Sequence, residues 1–168
     1  MPSLFSYSPE SSELFESQAA ARKIGSQFVV LPRTVRWAIS DLIRNPPDHF
    51  MDRGTVSAVI TQKRINYLFD NSLFDLPDSQ RPDCHRLKAH SYQSVYGRMH
   101  WDKPAPTITG GFDTMGRGRF VHPALRRKLT PHEAARIHGF PDCFRFNEAA
   151  SRKTHLDERI GNAVAPQR

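Results

Sequence analysis

The sequence predicts an α+β fold, a loop-rich small lobe with short twisted β-strands and a few short helices. Hydrophobic residues make up 38% of the chain, beside 13 prolines and 9 glycines, and this composition favours many turns. Short apolar runs alternate with stretches whose apolar residues recur at helical spacing. With 168 residues the chain suits one domain of modest core, or one lobe of a larger protein.

The charge balance indicates a polyanionic partner such as nucleic acid. Lys and Arg total 24 against 17 Asp and Glu, which gives a net charge of +7. The two cysteines, Cys84 and Cys143, lie far apart with no signal peptide before them, so we expect a reducing cytoplasm. No apolar run is long enough to cross a bilayer, and we expect no membrane partner.

The elements of the first half are short. Residues 1–32 mix Ser, Glu and Ala with few aromatics and read as a loosely ordered lead-in, which ends with a strand-like run at 27–31. Thr34 is placed to cap a helix covering residues 35–42. The stretch 55–69 has apolar spacing that fits a helix and β-branched residues that fit a strand, and both readings stay open.

The second half is expected to contain more loop than regular structure. Residues 70–84 are rich in Pro, Asp, Asn and Ser, which predicts irregular backbone. Alternating residues in 90–109 predict strands separated by tight turns, and a glycine-rich stretch leads to a short strand at 120–122. Residues 147–157 read as a polar loop.

One short helix has both of its ends specified. Thr130 can accept a hydrogen bond from a first-turn amide, and Glu133 can reach back to complete a capping box. Pro131 supplies a helical φ where no amide partner is needed. Gly139 permits a left-handed stop, so the helix is predicted to end there.

Four runs of the sequence occur in an order that resembles one enzyme family. Residues 34–42 read TVRWAISDL, 98–109 read RMHWDKPAPTIT, 127–142 read RKLTPHEAARIHGFPD and 160–164 read IGNAV. They resemble the segment after the eighth motif, the core of the target recognition domain, and the ninth and tenth motifs of DNA (cytosine-5) methyltransferases. The resemblance covers roughly residues 33–166 and implies the C-terminal part of such an enzyme, of the kind found in restriction-modification systems.

This resemblance also implies a domain organisation. Residues 33–146 would form the target recognition domain, including the ninth motif, and resemble its small-lobe fold. Residues 147–168 would return, with the tenth motif, toward a catalytic lobe that this chain does not contain. The expected partners are double-stranded DNA and an N-terminal methyltransferase lobe or subunit, in a bacterial cytoplasm or nucleoid.

The chemistry of the family needs parts that are missing from this sequence. It uses a Pro-Cys dipeptide, a Glu-Asn-Val motif and an early glycine-rich turn for S-adenosylmethionine, and none is present. Cys84 and Cys143 each follow an aspartate, and an adjacent carboxylate disfavours the thiolate. We therefore assign no catalytic residue and expect the chain alone to bind DNA without transferring methyl groups. The whole enzyme would move a methyl group from S-adenosylmethionine to cytosine C5.

The resemblance selects candidate DNA-binding residues. An Arg98 guanidinium could donate two bonds to guanine O6 and N7, and a Thr107 hydroxyl suits a phosphate beside the target nucleotide. Ile108 completes the Thr-Ile pair, and Arg117 and Arg119 lie between glycines that allow close approach to phosphate. The alternative for each arginine is a structural or solvated surface residue, and for Thr107 a β-branched strand residue.

Two further groups follow from the resemblance. Asn162 and Ala163 match positions that line the S-adenosylmethionine pocket of a complete enzyme. His132 stands where the family usually has arginine, which weakens the case for a permanent ion pair at this position. Structural roles are expected for five residues of the ninth motif: Arg127, Thr130, Glu133, Arg136 and Gly139.

Other readings stay open. A stand-alone nucleic-acid-binding module without a methylation role fits the charge equally well. A small metal-dependent nuclease could use Cys84, His85, His90 and His100, but their spacing lacks a paired second half, and we expect no metal. The chain could be a subunit of a naturally split enzyme or a truncated product.

Overall fold

The computed structural model describes part of this chain. The described residues are 21–24, 27–30, 32–43, 49–86, 95–147 and 153–164, with the backbone alone for 21–24, 27–30 and 153–155. Two antiparallel strands, β1 (Ala21–Ile24) and β2 (Gln27–Val30), pair with Ala21 opposite Val30. Part of the predicted lead-in is therefore a hairpin, whereas residues 1–20 and Leu31 lie outside the described residues.

Short helices make up most of the regular structure that is described. The α-helices are α1 (Val35–Ile39), α2 (Val59–Asp70), α3 (Asp83–Arg86), α4 (Pro131–His138) and α5 (Lys153–Gly161). Single 3₁₀ turns occur at Asp41–Ile43, Phe50–Asp52, Asp78–Gln80 and Met115–Arg117. None of the helices in the described part is long and apolar enough to span a membrane.

The first two α-helices bear on the predicted Thr34 cap and on the stretch 55–69, which fitted either a helix or a strand. The Thr34 side chain accepts a hydrogen bond from the Trp37 amide at 3.2 Å, which confirms the predicted cap of α1. The α-helix stops at Ile39 and a 3₁₀ turn continues it. The stretch that fitted either a helix or a strand contains α2, whose later turns bury Ile65 and Leu68.

The predicted strands within 90–109 and 120–122 are wrong for the residues that the structure describes. Only isolated bridges occur there, joining Asp75 to Gly97, Arg98 to Val121 and Val121 to Lys128. Tyr96 has a φ of 61°, which breaks extended backbone just before the first bridge. Pro104 and Pro106 lack amide donors, so a β-ladder that began at Arg98 could not continue through residues 104–106.

The predicted polar loop 147–157 is also partly wrong, because α5 begins at Lys153. Leu156 and Ile160 lie one helical turn apart and are 3% and 0% exposed. Two apolar residues at this spacing are a weak signal among polar neighbours, and packing against α4 stabilises the helix.

The larger apolar core lies where α1, α4 and α5 pack together. It contains Val35, Ala38, Ile39, Met51, Met99, Ile108, Phe112, Phe120, Leu129, Ala134, Ala135, Leu156 and Ile160. A second core forms beneath α2 from Ile65, Leu68, Leu76, Val95, Tyr96, Met115 and Val121. The segment 95–101 contributes to both cores, and this fixes its position between them.

Candidate nucleic-acid interface

The predicted capping box of α4 is present. The Thr130 hydroxyl accepts from the Glu133 amide at 3.2 Å, and the Glu133 carboxylate accepts from the Thr130 amide at 2.8 Å. Pro131 occupies the first turn, and Gly139 ends the helix with a left-handed φ of 97°. The helix therefore begins and ends at the residues that local chemistry specified.

Glu133 also anchors the chain before the helix. Its two carboxylate oxygens accept hydrogen bonds from the Arg127 guanidinium at 2.6 and 2.7 Å. The Glu133 side chain is only 2% exposed, so its charge depends on this partner.

His122 lies on the other side of the same carboxylate. Its Nδ1 accepts hydrogen bonds from the amides of Ala124 and Leu125 at 3.0 and 2.8 Å, which leaves the proton on Nε2. Nε2 is 3.5 Å from a Glu133 oxygen. Burial lowers the pKa of His122 to about 4, despite the neighbouring carboxylate, so the ring is neutral.

Arg136 joins α4 to α1 and to the loop after α4. Its guanidinium donates to both oxygens of Asp142 at 2.6 Å, to Asp41 at 2.8 Å and to the Ala38 carbonyl at 3.2 Å. Its side chain is 7% exposed. These contacts assign Arg136 to the packing of the helices.

His132 lies between two carboxylates and pairs with both. Its Nδ1 lies 2.6 Å from Asp52 and its Nε2 lies 3.3 Å from Asp142. Burial opposes the charge on the imidazole, but hydrogen bonds to Asp142 and Asp52 outweigh it and raise the pKa of His132 to about 9. Histidine therefore supplies the positive charge that arginine supplies in the resembled motif.

Arg98 is held between two aromatic rings. The guanidinium carbon lies 4.5 Å from the ring centroid of Phe69 and 4.5 Å from that of Phe74. The Arg98 amide also donates to the Phe74 carbonyl at 2.7 Å. Phe74 in turn stacks on His100, with centroids 3.8 Å apart and an interplanar angle of 18°. The result is a column of Phe69, Arg98, Phe74 and His100, which we call the aromatic column.

Within the described residues the Arg98 guanidinium has no ion-pair partner, and its buried Nε has no hydrogen-bond partner. Burial lowers the pKa of Arg98 from its ordinary value. Partial burial therefore removes water from the guanidinium, and no described residue replaces that water as the acceptor for Nε. Such an arrangement suits an acceptor supplied by a ligand.

An open cleft of about 270 Å³ lies beside the column. Asp102 in this cleft is bonded to Arg36 at 2.7 and 3.1 Å, so its charge is matched by Arg36. Lys103 is exposed. The lining residues are Phe74, Arg98, His100, Trp101, Asp102, Lys103 and Pro123. The cleft combines aromatic surface with cationic groups, which is the chemistry of nucleic-acid contact.

Arg119 and Arg117 have different environments. Arg119 donates to the carbonyls of Phe74 and Arg98 at 3.2 and 3.1 Å and to the Asp75 carboxylate at 2.6 Å. These bonds occupy its guanidinium in bracing the column. Arg117 is exposed, and within the described part of the chain it donates a single long bond, 3.3 Å, to the Gly110 carbonyl, so it remains accessible to a phosphate.

The Thr-Ile pair divides between surface and core. Thr107 is exposed, as a phosphate contact requires. Ile108 is 2% exposed and belongs to the larger core. The DNA contact expected at Ile108 stays a prediction, and in this structure the buried side chain anchors the loop that carries Thr107.

Asn162 and Ala163 follow α5 directly. Asn162 is exposed, and the Ala163 carbonyl accepts a bond from His138 Nε2 at 2.5 Å. The exposed amide can form hydrogen bonds with a ligand, whereas the Ala163 carbonyl is already engaged. These two residues alone do not enclose a pocket.

Cys84 and Cys143 are exposed, and no disulfide joins them. In the described part of the chain no group of three or more His, Cys, Asp or Glu residues is arranged to hold a metal ion. His90 lies outside the described residues.

Sequence reasoning missed the aromatic part of the interface. Phe69 and Phe74 come from one segment and His100 and Trp101 from another, and so few aromatic residues give no periodic signal. The pairing of Phe74 with His100 follows from the Asp75–Gly97 bridge and the adjacent Arg98–Phe74 hydrogen bond.

A cleft that combines aromatic walls with cationic groups has the chemistry found in nucleic-acid-binding proteins. Comparison with known proteins is more specific: residues 16–168 match the model of the C-5 cytosine-specific DNA methylases, and the chain belongs to this family.

Two bacterial relatives share most of this chain. It is 56% identical over 146 residues to the Type II methyltransferase M1.BsuMI of Bacillus subtilis (strain 168), covering 87% of this chain and 34% of that protein. It is 36% identical over 140 residues to the Type II methylase M.HgiDII of Herpetosiphon aurantiacus, covering 79% of this chain and 40% of that protein. The chain therefore spans between a third and two-fifths of the length of these relatives.

A shorter match extends to eukaryotes. The chain is 37% identical over 78 residues to the DNA (cytosine-5)-methyltransferase PliMCI of Paracentrotus lividus, covering 46% of this chain and 5% of that protein.

Proposed function

We propose that this chain is the DNA-recognition part of a DNA (cytosine-5) methyltransferase and comprises a target recognition domain with the ninth and tenth motifs. The Arg98 guanidinium carries this proposal, because two rings fix it at the edge of a cationic cleft while no described residue offers its buried Nε an acceptor. A guanine edge with two acceptors would satisfy it.

The rest of the interface supports the same function. Exposed Thr107 and Arg117 would contact phosphates and set the position of the duplex, whereas Arg98 would read a base. Residues 33–146 would form the recognition domain, and residues 147–168 would lead toward the catalytic lobe.

In the complete enzyme the target cytosine would leave the duplex and receive its methyl group at C5. S-adenosylmethionine supplies that methyl group. The exposed amide of Asn162 would contribute to holding it, together with residues outside this chain. The N-terminal catalytic lobe is the proposed protein partner, and a bacterial cytoplasm is the proposed location.

The test uses a hybrid methylase in which this chain replaces the matching segment of M1.BsuMI. Arg98→Ala should weaken binding to the preferred duplex by about 1–3 kcal/mol and binding to unrelated DNA much less. Arg86→Ala, which removes an exposed arginine paired with Asp83 on α3, is the matched control and should have little effect.

Equal losses on both duplexes would reject base reading by Arg98. Sequence-preferring binding by a hybrid that never methylates would instead favour a nucleic-acid-binding module without a methylation role.

A further inference from the structure

His100 is the last residue of the aromatic column, and the proposed function gives it no role. Its ring stacks on Phe74, which stacks on Arg98, so one aromatic layer separates the imidazole from the guanidinium. Both side chains line the cleft. Arg98 and His100 are two residues apart, a spacing that directs side chains to the same side of extended backbone.

We infer that His100 is a second specificity-determining residue, which contacts the edge of a base two steps along the duplex from the base that Arg98 reads. This inference rests on the proposed function, because it needs DNA in the cleft.

The distance between Arg98 and His100 along the chain supports contacts with two different base pairs. Alternate residues of extended chain lie about 6.6 Å apart, and base pairs rise by about 3.4 Å each, so two residues match two base steps. The column also orders both side chains before binding, which reduces the entropy lost when they meet DNA. Arg119 fixes the spacing further by bonding the carbonyls of Phe74 and Arg98.

The ring nitrogens of His100 are available for such a contact. Within the described residues they form no hydrogen bond, and neither is among the buried unpartnered atoms. Burial, together with the nearby charges of Lys103, Arg119 and Arg98, lowers the pKa of His100, and the Asp75 carboxylate only partly opposes this.

The ring is therefore neutral at pH 7 and has one donor and one acceptor. A phosphate offers acceptors only and would be met best by the protonated ring. Base edges offer both donors and acceptors, which favours a base as the partner of His100.

Replacement of His100 by phenylalanine separates stacking from hydrogen bonding, because the new ring can still stack on Phe74. The hybrid methylase carrying His100→Phe is incubated with a duplex library in which the base pairs around a central cytosine are randomised. Sequencing of the methylated molecules then gives the base preference at each position. Arg98→Ala is compared in the same library, and Arg86→Ala is the control.

The expected result is a threefold to tenfold loss of preference at one base pair, about the worth of one hydrogen bond. Arg98→Ala should lose preference at a different base pair, two steps away. Unchanged preferences with His100→Phe would overturn the inference, as would losses by both variants at one shared base pair. Equal weakening on all sequences with a reduced salt dependence would assign His100 to a phosphate and also overturn it.

His100→Gln provides the second variant, since it keeps a donor and an acceptor without the ring. If the phenylalanine variant fails to fold, the glutamine variant should change the preferred base at the same position. Unchanged preference would then reject the inference. A hybrid that methylates nothing even without substitution contradicts the proposed function itself, and the inference falls with it.

Discussion

Gly161, at the end of α5, lies directly against the backbone of Gly110. A Cβ on Gly161 would come within 2.2 Å of the Gly110 nitrogen and 2.5 Å of the Thr109 carbonyl oxygen. Only glycine permits this approach, because a backbone neighbour cannot turn aside as a side chain can. The contact joins the tenth-motif segment to the loop that carries Thr107.

Gly161→Ala should therefore destabilise the fold by about 1–3 kcal/mol, the usual cost of forcing extra volume into a packed site. Urea unfolding measures the change. Gly54→Ala is the matched control, since the nearest atom to its added Cβ lies at 3.7 Å, which is ordinary contact. An equal, small effect of both substitutions would show that α5 does not pack against Gly110 in solution.

The capping box predicts a second stability change. Thr130→Ala removes the acceptor for the Glu133 amide and should lower the free energy of unfolding by about 0.5–2 kcal/mol. Thr130→Ser keeps the hydroxyl and should recover most of the loss. Identical midpoints for the alanine variant and the unsubstituted chain would contradict the cap.

The raised pKa of His132 predicts that the stability of the fold depends on pH. Its pKa is raised from 6.5 to about 9, so the folded state holds a proton that the unfolded state releases near pH 6.5. The resulting stabilisation is complete below pH 6.5 and is lost as the pH rises through about 9. Unfolding free energies measured from pH 6 to pH 10 should fall across this window.

His132→Gln should flatten that fall, because glutamine can bond to Asp52 and Asp142 but carries no charge. An equal slope in the variant would mean that another group is responsible.

These predictions show which features the sequence determines locally. Thr130, Pro131, Glu133 and Gly139 lie within one short stretch, and each acts on backbone groups a few residues away, so the helix could be predicted. The aromatic column could not be predicted, because Phe69 and Phe74 meet Arg98 only after the chain has folded.

The same distinction applies to Thr107 and Ile108, whose DNA contacts both stay predictions. A Thr-Ile pair indicates one exposed and one buried side chain, but the resemblance assigned both to DNA. Burial of Ile108 depends on contacts with the larger core, which no local pattern specifies.

Substitution of the exposed Arg117 is predicted to change the salt dependence of DNA binding. The chain alone should bind duplex DNA weakly and with a steep dependence on salt, because only its basic surface is available. Arg117→Ala should reduce the slope of log affinity against log salt by about one, through the loss of one phosphate contact.

Fluorescence anisotropy at several salt concentrations measures the slope, and Arg86→Ala should leave it unchanged. A slope unaffected by Arg117→Ala would exclude Arg117 from the interface.

Methyl transfer by the hybrid methylase shows whether this chain serves as the DNA-recognition part of a cytosine-5 methyltransferase. Labelled S-adenosylmethionine is incubated with duplex DNA and either this chain, the hybrid, or M1.BsuMI from which the matching segment has been deleted. We expect labelled cytosine with the hybrid. We expect none with this chain alone, which lacks the Pro-Cys and Glu-Asn-Val motifs, and none with the deleted M1.BsuMI alone. Label transferred by this chain alone, or no transfer by a folded hybrid that binds S-adenosylmethionine, would contradict this role.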